Sequence, residues 1–317
     1  MKIVFIIAGI LIVLGIVLFV AVMASNSWDI SKLSTEKFQT NTYTIAEDFQ
    51  NISVRTDTAD VAFVLSEDSI CKVECYEQEK MRHLVTAKDG TLDISNGDTR
   101  KWYEHITFFS FGAPKITVYL PQAESGQLRV KNDTGAVELP KDFRFESVDI
   151  AVSTGHVTCY ASADGKIKIK TTTGDILAQG INADAVELSV TTGKVQADSV
   201  ACQGDVSLRV STGKAKLTDV QCKNLHSEGS TGDLQLQNVI AKETFSIERS
   251  TGDVKLDRCD AAEIEIETDT GNITGSLLSP KVFRTETDTG RVDVPKSTTG
   301  GLCHIETDTG HIKITTP

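Results

Sequence analysis

Four Asp-Thr-Gly tripeptides, beginning at Asp133, Asp269, Asp288 and Asp308, carry the residue types with which two aspartates sharing a proton activate water against a peptide bond. That chemistry needs two carboxylates brought to one point, and here the tripeptide belongs to a longer series. Thr-Gly recurs with Gly at 135, 155, 174, 193, 213, 232, 252, 271, 290 and 310, in steps of 19 or 20 residues. Aligned on Gly, the residue two places earlier reads Asp133, Ser153, Thr172, Thr191, Ser211, Ser230, Ser250, Asp269, Asp288, Asp308. A catalytic aspartate cannot be exchanged for Ser or Thr, whereas an oxygen accepting a nearby backbone N–H can be any of the three. The tripeptide therefore reads as a turn with its Gly at positive φ, and the aspartic protease is excluded.

The same alignment singles out the residue four before each Gly: Lys131, Ala151, Lys170, Ser189, Arg209, then Glu228, Glu248, Glu267, Glu286 and Glu306. With Asp269, Asp288 and Asp308 these acids share the outward parity, so stacked repeats present an acidic stripe about 5 Å from rung to rung. Neighbouring charges at that spacing repel by about 3 kcal/mol at an effective dielectric of 20, and by under about 1 kcal/mol in water. Solvent, salt and nearby Lys255, Arg291 and Lys313 are expected to absorb this. The functional alternative is that the stripe takes divalent cations such as Ca²⁺ or a basic partner.

From one Gly to the next, apolar residues alternate, as in Val186, Leu188 and Val190, then Val254 and Leu256, so each repeat is one coil of short strands. A single coil cannot fold alone, and the period predicts an all-β parallel solenoid of about ten 19–20-residue coils, wound right-handed. The expected organisation is a transmembrane segment over 1–24, a linker over 25–40, a strand-rich first coil and cap over 41–130, and the repetitive solenoid over 131–317. In the cap region NISVRTDTADVAFVL reads as a first coil with Ala59 at the Gly place, TLDIS and KITVYLP as strands, and Asp89-Gly90 as a tight turn. KWYEHITFFSFGAP, with Trp102, Tyr103, Phe108, Phe109 and Phe111, reads as the cap or a packed loop, or else as an aromatic patch for membrane or glycan. The last coil, ending HIKITTP, shows no cap, so self-association through this C-terminal coil is expected.

Ile3 to Ala24 is uncharged and, at about 1.5 Å per residue, spans about 33 Å, a full hydrocarbon core. Its apolar run exceeds that of a cleaved signal peptide, the alternative, so it reads as an uncleaved anchor. Lys2 on the short side keeps the amino terminus cytoplasmic, placing the rest outside with Trp28 near the interface. Of the seven cysteines, Cys159, Cys202, Cys222, Cys259 and Cys303 occupy inward places in the repeat, while Cys71 and Cys75 share one strand face four residues apart, too far to bridge; they read as buried free thiols, with Cys202 to Cys222 the one bridge that adjacent coils would allow. A net charge of −12 argues against nucleic acid as a partner. Neither HExxH, GxSxG, a Walker loop nor GxGxxG occurs, so no catalytic residues and no cofactor are implied apart from Ca²⁺ at the stripe.

The T-[DST]-T-G-x-[VI]-x-[LV] coils, preceded by a DGTL turn and a strand ending at Leu120-Pro121, resemble the bacterial putative-adhesin family of β-strand-repeat proteins over residues 41 to 317. The resemblance implies a non-enzymatic solenoid, an adhesin or envelope scaffold held at the membrane, and carries no catalytic residues. Two other readings compete: the ectodomain of an envelope-stress sensor acting with a membrane partner, and a carbohydrate-active β-helix enzyme. The even coil spacing leaves no room for the loops of such an enzyme.

Overall fold

Period-two burial builds the fold. In the coil that turns at Gly193, Val186, Leu188 and Val190 are buried while Glu187 and Ser189 between them are half-buried, and Val195 and Ala197 resume the inward series after the turn. A computed structural model describes residues 2–25, 27–28, 37–68, 70–98 and 112–317. Strands before each turn, from Glu124–Thr134 to Glu263–Thr270, stack in parallel into one sheet. Strands after each turn, from Val137–Leu139 to Ile273–Leu277, stack into a second. Equivalent residues lie in register, Leu188 against Leu208 and Val200 against Val220, so the core is a continuous file of Val, Leu, Ile, Ala and Cys between the sheets.

The turn glycines form a column. Gly155, Gly174, Gly193 and Gly213 have φ from 136° to 151°, and a Cβ on any of them would overlap the carbonyl of the Gly one coil earlier. Both the backbone conformation and the close approach therefore require Gly. Hydrogen bonds continue through the turns, with Gly193 N–H donating to the Thr212 carbonyl at 3.0 Å and Gly213 N–H to that of Thr231 at 2.8 Å. Ala59 does stand in the first coil, formed by Asn51–Thr58 and Asp60–Leu65. It heads the column and has no left-handed φ, so Ala is tolerated there.

The Asp/Ser/Thr residues two before Gly do not hold the turns as expected. Among the described residues, none of those ten side chains makes a hydrogen bond, and Asp133, Asp269, Asp288 and Asp308 are exposed. The turn is held from either side instead. Three places before Gly, the Thr171 and Thr307 hydroxyls donate to the Gly155 and Gly271 carbonyls at 3.3 and 3.1 Å. One place after it, Asp175 Oδ1 accepts from Lys194 N and Asp253 Oδ1 from Asn272 N, at 2.8 and 2.9 Å. A second corner, unmarked in the sequence, has Ser199, Asp219, Asn238 and Arg258 at φ 52–55°, in line with Gly180 at φ 66°.

The distal end departs from simple stacking. Strand Gly301–Thr309 lies between Glu263–Thr270 and Lys281–Thr289, and Ile312–Thr315 lies between Ile273–Leu277 and Val292–Asp293. The last coil is therefore inserted beneath the coil that precedes it in sequence. Lys281, 3% exposed, ties this arrangement across Gly301, its ammonium 2.7 Å from Asp260 Oδ1 and bonded to the Ala261 carbonyl. The expectation of an open edge on the C-terminal coil is corrected accordingly: that coil is paired on both sides, and the unpaired edges belong to Lys281–Thr289 and Val292–Asp293.

At the other end the sheets finish in antiparallel strands. Lys115–Leu120 pairs in parallel with the first coil and antiparallel with Cys71–Gln78, which pairs with Phe38–Ile45. Met81–Lys88 and Thr91–Asp98 form a hairpin through Asp89 and Gly90, at φ 51° and 73°, both positive as in a type I′ turn. The aromatic segment from Trp102 to Phe111 lies outside the described residues. Lys2–Ser25 is a helix, uncharged and apolar over the 21 residues Phe5–Ser25 and long enough to cross a membrane, with Phe5 and Phe19 exposed.

All seven cysteines are buried and free, Cys202 and Cys222 included. Cys202 Sγ donates to the Asp184 carbonyl at 3.3 Å and Cys222 Sγ to that of Ile240 at 3.9 Å. Burial pushes the thiols of Cys159, Cys222 and Cys303 up to about 12.

Candidate functional site

The residue four before Gly lies in the first sheet, and the register stacks it as a true column. Arg55 and Lys131 begin it, Arg209 meets Glu228, and then Glu228, Glu248, Glu267, Glu306 and Glu286 follow in space. The insertion exchanges the last two members but leaves the ladder unbroken, because the exchanged coils keep the same offset to Gly. Asp269, Asp308 and Asp288 accompany its distal part, all exposed. The strand Glu263–Thr270 adds Glu263 and Glu265 on the same face, which widens the stripe.

Glu228, at the change of sign, differs from the rest. Arg209 Nη2 lies 2.6 Å from its Oε2 and His226 Nε2 2.6 Å from its Oε1. The hydrogen bond from His226, then that from Arg209, lowers its pKa below the usual carboxylate range. Among the described residues, Glu248, Glu267, Glu306, Glu286, Asp269, Asp308 and Asp288 have no salt bridge and no side-chain hydrogen bond. Among the described residues, none of Lys255, Arg291 and Lys313 forms an ion pair with a carboxylate of the stripe. Lys255 and Lys313 stand beyond the turn on the second sheet, where Lys313 faces Asp293 at 3.9 Å, and Arg291 makes no ion pair among the described residues. The outward row of these two lysines on the second sheet runs Lys216, Gln235, Lys255, Thr274, Lys313 and Asp293 in space, so it is no acidic ladder. Sequence reasoning placed the stripe but missed Arg209 and His226 bracketing it; the Arg209 to Glu228 sign change was the available signal.

The four Asp-Thr-Gly aspartates are exposed, each on its own rung. An unsatisfied polar site does lie inside the rod. Arg249, 1% exposed, occupies the place three before Gly and fills the space left by Gly229. Its Nη2 donates to Ser227 Oγ at 2.8 Å, while Nε and Nη1 have no partner among the described residues. Burial lowers its pKa to about 10.

Fold and surface together define a parallel β-solenoid that displays a charged face along its length. Residues 49–315 match the family described as Toastrack DUF4097, and the chain belongs to it. The family is of the putative-adhesin kind that the repeat motif resembles. No curated protein matches the chain. Solved structures similar to it include a putative lipid binding protein from Parabacteroides distasonis ATCC 8503, with TM-score 0.47 and 16% identity over 76% of this chain and 95% of that one. A putative adhesin from Bacteroides fragilis NCTC 9343 gives TM-score 0.37 and 14% identity over 88% and 97%. Another, from Parabacteroides merdae ATCC 43184, gives 0.40 and 15% over 76% and 97%.

Proposed function

We propose that this protein is a membrane-anchored, extracytoplasmic binding rod, an adhesin or envelope scaffold without enzymatic activity, whose distal acidic face takes divalent cations or a basic partner. The observation that carries the reading is the set of unpaired carboxylates at Glu248, Glu267, Glu306, Glu286, Asp269, Asp308 and Asp288, held in register by the ladder. A cation or a basic surface would relieve the repulsion among carboxylates that no ion pair among the described residues neutralises. The N-terminal helix supports the anchor, with the solenoid outside. The open edge at Lys281–Thr289 supports self-association, read as concentration-dependent sedimentation.

The test uses the full chain in detergent and a variant with Glu248, Glu267, Glu286, Glu306, Asp269, Asp288 and Asp308 changed to Gln or Asn. Ca²⁺ raises the melting temperature of the parent and not of the variant at fixed ionic strength, and the parent alone captures envelope components. An equal shift from Na⁺, together with equal capture by both, refutes the role of this face. Co-purification of one stoichiometric membrane protein by both chains would favour a sensory ectodomain.

A further inference from the structure

The proximal end contains a cluster of another kind. On the strand Cys71–Gln78, the residues Cys71, Val73, Cys75 and Glu77 all face the core, so a glutamate with 0% exposure stands where the alternation calls for an aliphatic residue. His83, 7% exposed, comes from Met81–Lys88 on the opposite sheet and meets it across the core. Glu77 Oε2 accepts from His83 N and lies 2.6 Å from His83 Nδ1, Glu77 Oε1 accepts from Asn41 Nδ2 at 2.6 Å, and His83 Nε2 is 3.1 Å from Thr56 Oγ1. Carboxylate and imidazole are thus held in place by the strands around them. Cys75, also 0% exposed, has no hydrogen-bond partner among the described residues, yet its sulfur and ligand atoms of Glu77 and His83 lie within 4.8 Å of one another.

We propose that Cys75, Glu77 and His83 bind a zinc ion that joins the two sheets at the proximal end of the solenoid. The donor set is one thiolate, one carboxylate and one imidazole, which suits zinc, whereas a sulfur ligand disfavours Ca²⁺ and Mg²⁺. Thiolate and carboxylate together cancel the charge of the ion, so the filled core is neutral. Around a tetrahedral ion with bonds of about 2.0–2.3 Å the ligand atoms stand about 3.3–3.7 Å apart. Glu77 and His83 reach this by separating about 1 Å, and the pairwise limit of 4.8 Å brackets the rest. On binding, the Cys75 thiol releases its proton to solvent. His83 Nδ1 turns to the metal after a change of tautomer: the proton held between Nδ1 and Glu77 Oε2 passes to solvent while Nε2 takes one up and donates to Thr56 Oγ1, so the imidazole stays neutral and one proton, that of the thiol, is released net. A cavity of about 320 Å³, lined by His83, Asp57, Thr58 and Arg82, lies beside the His83 member of the cluster. Burial, then Glu77, pushes the Cys75 thiol up to about 12, and a dication at the site reverses that direction.

The test is a cobalt titration of the chelator-stripped full chain in detergent. A thiolate-to-cobalt charge-transfer band and intense visible bands saturating at one equivalent, bleached by Zn²⁺, are expected. Cys75→Ser abolishes the charge-transfer band and His83→Gln weakens binding at least about tenfold, while Cys71→Ser leaves both unchanged. The proposal is overturned if the parent chain shows no charge-transfer band, or if the band survives in Cys75→Ser. Should the variants misfold, the parent decides: X-ray absorption of the folded chain loaded with one equivalent of Zn²⁺ that shows one sulfur and otherwise nitrogen or oxygen ligands supports the site, and no sulfur or more than one overturns it.

Discussion

Substitution of Gly213 by Ala isolates the cost of the glycine column. Its φ of 137° lies in a region that L-residues rarely enter, a strain of about 1–3 kcal/mol. The new methyl would also overlap the Gly193 carbonyl, so the two coils must part at the turn. Two ladder bonds join those coils beside the contact, Gly193 N–H to Thr212 O and Val195 N–H to Lys214 O, both at 3.0 Å and each worth about 1 kcal/mol. The sum is about 3–5 kcal/mol at one rung. Gly180 is the internal control: its φ is 66°, a methyl placed on it would meet nothing within 4 Å, and Ala there costs about 1–2 kcal/mol. Because a solenoid can unzip from either side of a damaged rung, the assay is urea unfolding followed at two probes, one on each side of Gly213. The two probes separate for Gly213→Ala and coincide for Gly180→Ala. Equal costs for the two variants refute the argument from close approach.

Other outcomes follow from single groups. Burial pushes the Cys159 thiol up to about 12 in the folded chain against an ordinary value of 9.0, so the unfolded form ionises first and this thiol alone makes stability fall as pH rises from about 9, by about 1.4 kcal/mol per unit; Cys159→Ala lessens the slope of alkaline unfolding curves by that share, the other buried thiols keeping theirs. Iodoacetamide labels none of the seven cysteines in the native protein and all seven in denaturant, as mass spectrometry reports. Arg249→Thr removes two unpartnered nitrogens and offers a hydroxyl of the kind Thr171 uses, so it stabilises by about 1–2 kcal/mol in urea; a loss above about 1 kcal/mol means that the guanidinium is paired in solution. The Glu228 carboxyl, with its folded pKa depressed, adds stability above the usual carboxylate range that is lost as pH falls through that range. NMR titration of the parent and of Arg209→Gln with His226→Gln shows its midpoint rise in the variant.

The coil, its two strands and its turn were legible because each demand recurs at a fixed place: Leu188, Leu208 and Ser227 stack because each stands five before its Gly. The acidic ladder was legible for the same reason. What escaped was whatever the repeat does not repeat. The left-handed corner is filled by Ser199, Asp219, Asn238 and Arg258, which share a backbone angle but no chemistry. The reason for the Asp, Ser and Thr at the turn is not legible because local side-chain bonding suits all three, and only the fold shows Thr171 and Asp175 taking that role instead. The Glu77–His83 contact joins strands of the irregular end, where no internal alignment exists to mark an outlier. The order of the last coils was illegible too, since both carry the same Glu-Thr-Asp-Thr-Gly and either fits either rung.

That interchangeability bears on how the rod is completed. Residues 281–293 leave the synthetic machinery before residues 301–315, yet they occupy the rung beyond them. When the earlier segment emerges, the nearest free surface for it is the coil over 263–277, on which its matching register lets it rest. The later segment must then either enter between two formed rungs or find the earlier one still waiting. Lys281, reaching Asp260 and Ala261 past Gly301, closes only when the wedge is in. The tip of the rod is thus a latch with a history: its last-made part is its keystone, and a chain halted at residue 300 would lose an inner rung and keep its tip unlatched.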